Sequence, residues 1–273
     1  DRPTHLRVNL DAVLDNYRKL DKLNGLKTSL AVVKADSYGL GAKVIADYLY
    51  KNGVRHFAVA TLEEALELKK YIKESLLLVL GVTNPKNVKY AVENNISLTC
   101  PSKEWFEEAL KELEKIDGKL KLHIKLETGM NRIGTSEVEE LMEIHNLFYS
   151  EKVEFEGIFS HYSNADGEDN EYDDYQTANF NSLVKLFKLK PKYIHIENSA
   201  GTIKYSDRND ICNLSRIGIA LYGCYPSSNI ERLNKLSLEP VASLVSKVTH
   251  VKKVPKGTKI GYGISYETQE DEY

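Results

Sequence analysis

The chain is poor in several residue types, and each shortage narrows what it can be. It has 3 cysteines in 273 residues, Cys100, Cys212 and Cys224, an odd number without metal-type spacing. That argues against a disulfide-stapled scaffold or a zinc module and fits small core residues in a reducing compartment. The net charge is -3 with no long basic block, so the electrostatic footprint of a nucleic-acid binder is missing. No apolar run is long enough to span a bilayer, and no signal-peptide pattern opens the chain. A cytoplasmic protein with neither membrane nor nucleic acid as partner is expected. No G-x-G-x-x-G follows an early strand pattern, which counts against a dinucleotide-binding fold. The first residue is Asp1 rather than Met, and the chain stops at QEDEY just after a strand pattern, so the expectation is a piece of a longer protein.

What is present is a regular alternation. Short apolar, β-branched runs stand at 30–35, 56–60, 76–81, 96–100, 121–127, 154–161, 193–198 and 215–223. Amphipathic stretches at 42–53, 61–72, 102–116 and 137–150 lie between them, with Thr61 and Ser102 as N-cap candidates and Gly53 as a C-cap. Buried strands alternating with helices argue for parallel βαβ units, and eight units over this length favour a closed (β/α)8 TIM-type barrel. The barrel is assigned to 11–229. HLRVNL at 5–10 and the alternating stretch 238–267 do not fit it. They read as the start of an antiparallel β domain, 1–10 with 230–273, incomplete at its C-terminus and with two strands joined through Pro255-Lys256-Gly257.

In such a barrel the chemistry collects at the carboxyl ends of the strands. Lys34 follows the apolar run Ala31-Val32-Val33, where a half-desolvated amine can attack a carbonyl, and Tyr38 comes four residues later. Lys125 and Glu127, His161, Asn198 with Ser199, and Arg216 with Gly218 occupy the ends of later strands, and Arg132 lies in the turn TGMNRIG. Each has an ordinary structural explanation taken alone. Ser199 at a helix start and the backbone at Gly218 suggest an anion site. With an imine-forming lysine and a tyrosine hydroxyl they point to a phosphorylated aldehyde cofactor.

The segments AVVKADSYGLG, HFAVATLEEALEL, HIKLETGMNRIG, GIFSHYSNADGE, YIHIENSAG, RIGIALYG and GYGISY resemble the alanine racemase family along essentially the whole chain. The resemblance implies a pyridoxal 5'-phosphate enzyme of fold type III that interconverts L- and D-alanine with two bases, supplying D-alanine for peptidoglycan, as a homodimer with shared active sites. It makes Lys34 the lysine that anchors the cofactor and the base on the D-face. Tyr262 is the base on the L-face, supplied by the partner subunit. Tyr38, Ser199, Gly218 and Ile219 match phosphate-binding positions. Arg216 matches the arginine facing the pyridine nitrogen, which it keeps unprotonated because a guanidinium does not yield its proton. Arg132 matches the arginine near the substrate carboxylate, and Lys125 a lysine that is carbamylated in many members. His161 and His195 match supporting histidines, with Asn198 beside them. Leu40, Asn131 and Ile217 depart from the common pattern without removing a required group. Three other readings stay open: a serine or broad-specificity racemase, a non-catalytic pyridoxal-phosphate carrier on a single barrel, and a Schiff-base aldolase that would not need Arg216.

Overall fold

A computed structural model of the chain describes residues 3–208 and 211–273; Asp1 and Arg2, counted with the β domain in the sequence reading, lie outside them. Among the described residues the strands are β1 (His5–Val8), β2 (Thr28–Val32), β3 (His56–Val59), β4 (Leu76–Val79), β5 (Ser97–Cys100) and β6 (Leu120–Lys125). They continue with β7 (Val153–Phe159), β8 (Tyr193–His195), β9 (Leu214–Ile217), β10 (Ala242–Val245), β11 (Lys259–Ile260) and β12 (Tyr266–Glu267). The chain divides into two compact units, Asn9–Val241 and the pair Asp1–Val8 with Ala242–Tyr273.

In the larger unit eight parallel strands run in the order β8-β7-β6-β5-β4-β3-β2-β9. The two ends of that order meet where Asn213 N–H donates to Ile194 O at 3.0 Å and Arg216 N–H to Glu197 O at 3.2 Å, so the sheet nearly closes into the expected barrel. Helices follow the strands, and local chemistry starts and stops them. Thr61 and Glu64 form a reciprocal capping box, and the Ser102 hydroxyl accepts the Trp105 N–H at 3.2 Å. Gly53, at φ 97°, takes the left-handed position just past the helix Ala42–Lys51. No helix among the described residues is long and apolar enough to cross a membrane.

The barrel interior is divided. On one side Leu30, Val32, Ala58, Leu78 and Leu214 pack together with Tyr193. On the other, His123, Lys125, Glu156, His195 and Arg216 are all buried. β9 is shorter than the expected run 215–223: it ends at Ile217, Gly218 leaves the β region at φ -108° and ψ -98°, and Ile219–Tyr222 form a tight 3-10 turn. The apolar run continues there because the turn is itself buried, not because the strand goes on.

In the smaller unit β1 pairs antiparallel with β10, His5 opposite Val245, and β11 pairs with β12, Lys259 opposite Glu267. The expectation of two strands joined through Pro255-Lys256-Gly257 is corrected. β10 finds its partner at the other end of the sequence, and the hairpin turn falls at 261–265, between β11 and β12. Alternation identifies strands but does not name their partners.

Candidate active site

The chain leaves β2 at Val32 and immediately does something unusual. Ala35, Asp36, Ser37 and Tyr38 all have positive φ, from 50° to 57°, forming a left-handed helical turn directly after Lys34. Each non-glycine residue in that conformation costs roughly 1–2 kcal/mol, so surrounding contacts must hold it. Glu64 accepts the Ala35 N–H at 2.7 Å, and Asp36 accepts the Ala42 N–H at 2.7 Å. The turn places the Lys34 ammonium 5.9 Å from the centre of the Tyr38 ring, which packs on Tyr222 at 5.0 Å. Tyr222 is tied back to the strand end by donating to Val32 O at 2.9 Å.

Across the mouth, Asn198 caps the helix Ser199–Lys204, its Oδ1 accepting the Gly201 N–H at 3.0 Å. The Ser199 hydroxyl accepts the N–H of Gly218 at 2.8 Å and of Ala220 at 3.4 Å. A Cβ at residue 218 would approach the Tyr38 hydroxyl to 2.7 Å, so the bare glycine keeps a small cradle open between Tyr38, Ser199 and the turn. Those donors, with Lys34 near, fit a phosphorylated aldehyde.

Arg216, on β9, is buried with its guanidinium held by acceptors. Nη1 donates to His195 Nδ1 at 2.6 Å, and Nη2 faces Ser160 O at 2.8 Å, Ile196 O at 2.9 Å and His161 Nδ1 at 3.0 Å. Burial pulls its pKa down to about 10. Burial first, and then the Arg216 charge, holds His161 and His195 well below the usual imidazole range, so both are neutral.

A cavity of about 250 Å³ opens at this mouth, lined by Lys34, Tyr38, His161, Asn198, Ser199, Arg216, Gly218 and Ile219 among others. Eight of the residues singled out from the sequence therefore meet at one cavity, and His195 lies behind them on Arg216. Lys125 is buried beside it, its ammonium donating to Leu126 O at 2.7 Å and lying 5.7 Å from the centre of the Phe159 ring. Burial, with the charges of Arg216 and Arg132 opposed by Glu127, lowers its pKa to about 8. Arg132 is exposed on the loop after β6, close enough for its charge to act on Lys125 and His161. Asn131 beside it takes φ 52°, a conformation asparagine tolerates better than most residues. Tyr262 is in the smaller unit, fully exposed on the turn Tyr262–Ile264. Sequence reasoning missed Asp166 and Pro226, which also line the cavity, and Tyr222, which positions Tyr38. A tyrosine in an otherwise aliphatic turn was the available signal for the last.

Residues 8–226 match the family model "Alanine racemase, N-terminal domain". The chain belongs to the alanine racemase family. It is 40% identical over 272 residues to the alanine racemase of Macrococcus caseolyticus, covering 99% of this chain and 70% of that one. Among solved structures, alanine racemase from Bacillus anthracis with bound L-Ala-P is 35% identical with a TM-score of 0.87, covering 99% of this chain and 71% of that chain. Histidine racemase from Leuconostoc mesenteroides is 28% identical with a TM-score of 0.89, covering 99% and 72%. The alanine racemase family is dependent on pyridoxal phosphate.

Proposed function

We propose that this chain holds pyridoxal 5'-phosphate at the barrel mouth and interconverts L- and D-alanine, with one proton carrier on each face of the substrate. The observation that carries this reading is the convergence of Lys34, Tyr38, Ser199, Gly218 and Arg216 on one cavity in a member of the alanine racemase family. When bound, the cofactor withdraws electrons from the substrate α-carbon and so makes its proton acidic.

The chain's own residues do the rest. The Tyr38 and Ser199 hydroxyls and the Gly218–Ile219 backbone bind the phosphate. Lys34 anchors the aldehyde carbon and, as a free amine, takes or returns the proton on one face. The Tyr262 hydroxyl of a partner subunit serves the other face in a homodimer, its proton exchange assisted by His161. Arg216, all of whose N–H groups are donors, faces the pyridine nitrogen and leaves it unprotonated. Arg132 holds the substrate carboxylate. Lys125 supports Arg132 as a carbamate: its neutral amine adds to carbon dioxide with loss of a proton, and the depressed pKa makes that form available. The D-alanine so formed supplies peptidoglycan.

The test is the visible spectrum of the purified chain with added pyridoxal phosphate, beside a chiral assay on L-alanine. A band that borohydride fixes to Lys34, absent in Lys34→Ala, together with D-alanine formation is expected. A folded chain that gains no band and turns over no amino acid overturns the reading. A second reading, another amino acid as substrate, is favoured by the likeness to a histidine racemase. L-serine and L-histidine run in the same assay decide it, since a hydroxyl alone is poorly excluded by a small pocket.

A further inference from the structure

Beneath Arg216 a column of polar side chains runs down the barrel interior to its opposite end. Arg216 Nη1 lies 2.6 Å from His195 Nδ1, His195 Nε2 lies 3.0 Å from His123 Nδ1, and His123 Nε2 lies 3.0 Å from Glu156 Oε2. The Ser97 hydroxyl donates to the same Glu156 oxygen, and Lys121 Nζ lies 3.7 Å from the other. His123 and His195 are 0% exposed and the Glu156 side chain 5%. Apolar residues fill the other half of the barrel, so this column is not what packing alone requires. Among the described residues no carboxylate forms a salt bridge with Arg216; the Glu197 charge acts on it from nearby, and Glu156 ends the line of hydrogen bonds that starts at its Nη1.

The protons in the column can be placed from its two ends. A guanidinium has no acceptor, so His195 Nδ1 must accept from Arg216. A neutral His195 then carries its proton on Nε2 and donates to His123 Nδ1. His123 in turn carries its proton on Nε2 and donates to Glu156 Oε2, which must be an acceptor. A proton on Glu156 Oε2, or a second proton on His123, would set two donors face to face at one of the links. Burial works against ionisation of Glu156, but the hydrogen bonds from His123 and Ser97 and the Lys121 charge hold its carboxyl below the usual range. Every link therefore points the same way, from Arg216 to Glu156.

The backbone is built for this column. β6 and β7 change register at Leu122/His123: Leu122 faces Phe155, but His123 faces Gly157, so Glu156 is the extra residue of a bulge. Phe155 stacks outward against Phe148 and Phe187 among the helices, whereas Glu156 points inward to His123. Without the bulge, Glu156 would sit on the face opposite Gly157 and Phe159. Gly157 then leaves space for the imidazole, since a Cβ there would overlap the His123 ring.

We infer that Glu156 is a positioning residue: acting through His123 and His195, it locks His195 Nδ1 as an acceptor and so fixes how Arg216 is presented to the cavity. Its effect on turnover rests on the function proposed above; the proton order in the column does not. Without an acceptor at 156, His123 can place its proton on Nδ1 and oppose the His195 N–H, and the Arg216 anchor loosens.

Two measurements on the full chain test this. Nitrogen-15 spectra of the histidine-labelled protein, with and without pyridoxal phosphate, should show His123 and His195 neutral and protonated on Nε2. A His195 protonated on Nδ1, or on both nitrogens, overturns the inference whatever the enzyme's activity. In the racemisation assay, Glu156→Leu should lower kcat about tenfold (~1.4 kcal/mol in barrier) with KM changed less than threefold. Glu156→Gln, which keeps a carbonyl acceptor for His123, should restore kcat to within about threefold. A folded Glu156→Leu with unchanged kcat, or a Gln variant no better than the Leu variant, overturns it while leaving the racemase reading intact. If Glu156→Leu does not fold, the wild-type spectra and the Gln variant still decide.

Discussion

Gly218 shows how one missing side chain shapes the site. An added Cβ would press on the Tyr38 hydroxyl at 2.7 Å, at the place proposed for the phosphate. Gly218→Ala should weaken pyridoxal phosphate binding about tenfold, equal to ~1.4 kcal/mol, with little change in the melting temperature; a spectroscopic titration reads the first and thermal denaturation the second. Lys125 gives a prediction in pH. Its folded pKa of about 8 lies below the ordinary lysine value of 10.5, so between those values the unfolded chain binds more protons. Stability contributed by this residue must therefore rise as pH rises from about 8 to 10.5, and its full burial penalty applies below 8. In buffer free of carbon dioxide, where Lys125 carries no carbamate, the difference between wild type and Lys125→Met in urea unfolding should shift in favour of wild type across that window, by on the order of 3 kcal/mol.

At the scale of elements, the left-handed turn 35–38 depends on a neighbour. Glu64 closes the capping box of its own helix and also accepts the N–H groups of Ala35 and Ala60, each at 2.7 Å. One carboxylate thus links a helix start to the strained segment that carries Lys34 and Tyr38. Glu64→Ala should destabilise the fold by about 1–3 kcal/mol in urea unfolding and should weaken cofactor binding as well, because the turn loses its acceptor. Thr61→Ala, which removes only the cap, should cost about 1 kcal/mol and leave the cofactor titration unchanged. The caps at Thr61 and Ser102 were legible in the sequence because capping is local. The turn was not, since nothing in the residue types Ala-Asp-Ser-Tyr calls for positive φ.

For the whole molecule, the proposed base Tyr262 is in a different unit from the cavity and is fully exposed. The homodimer expectation makes a sharp test of that separation. Lys34→Ala and Tyr262→Phe chains, each nearly inactive alone, should regain about a quarter of wild-type racemisation when mixed under conditions that exchange subunits, because half the dimers then carry one intact site. No recovery despite demonstrated mixed dimers would place both bases on one chain.

The order of strands and helices, and the gathering of Lys34, Ser199, Arg216 and Gly218 at one mouth, followed from the sequence by itself. Hydrophobic period and strand-end position are local properties that a linear pattern records. His123 and Glu156 were not singled out from the sequence; the alternation of His123 with Lys125 on one strand, and an acid within an apolar run, were the available signals. The tertiary structure alone decided that Glu156 turns inward, through the bulge opposite His123, and that β10 pairs with β1. It also brought Arg216, His195, His123 and Glu156 into one column of hydrogen-bonded side chains. Strand register and proton placement depend on donors and acceptors that lie far apart in the chain and meet only once the sheet has closed.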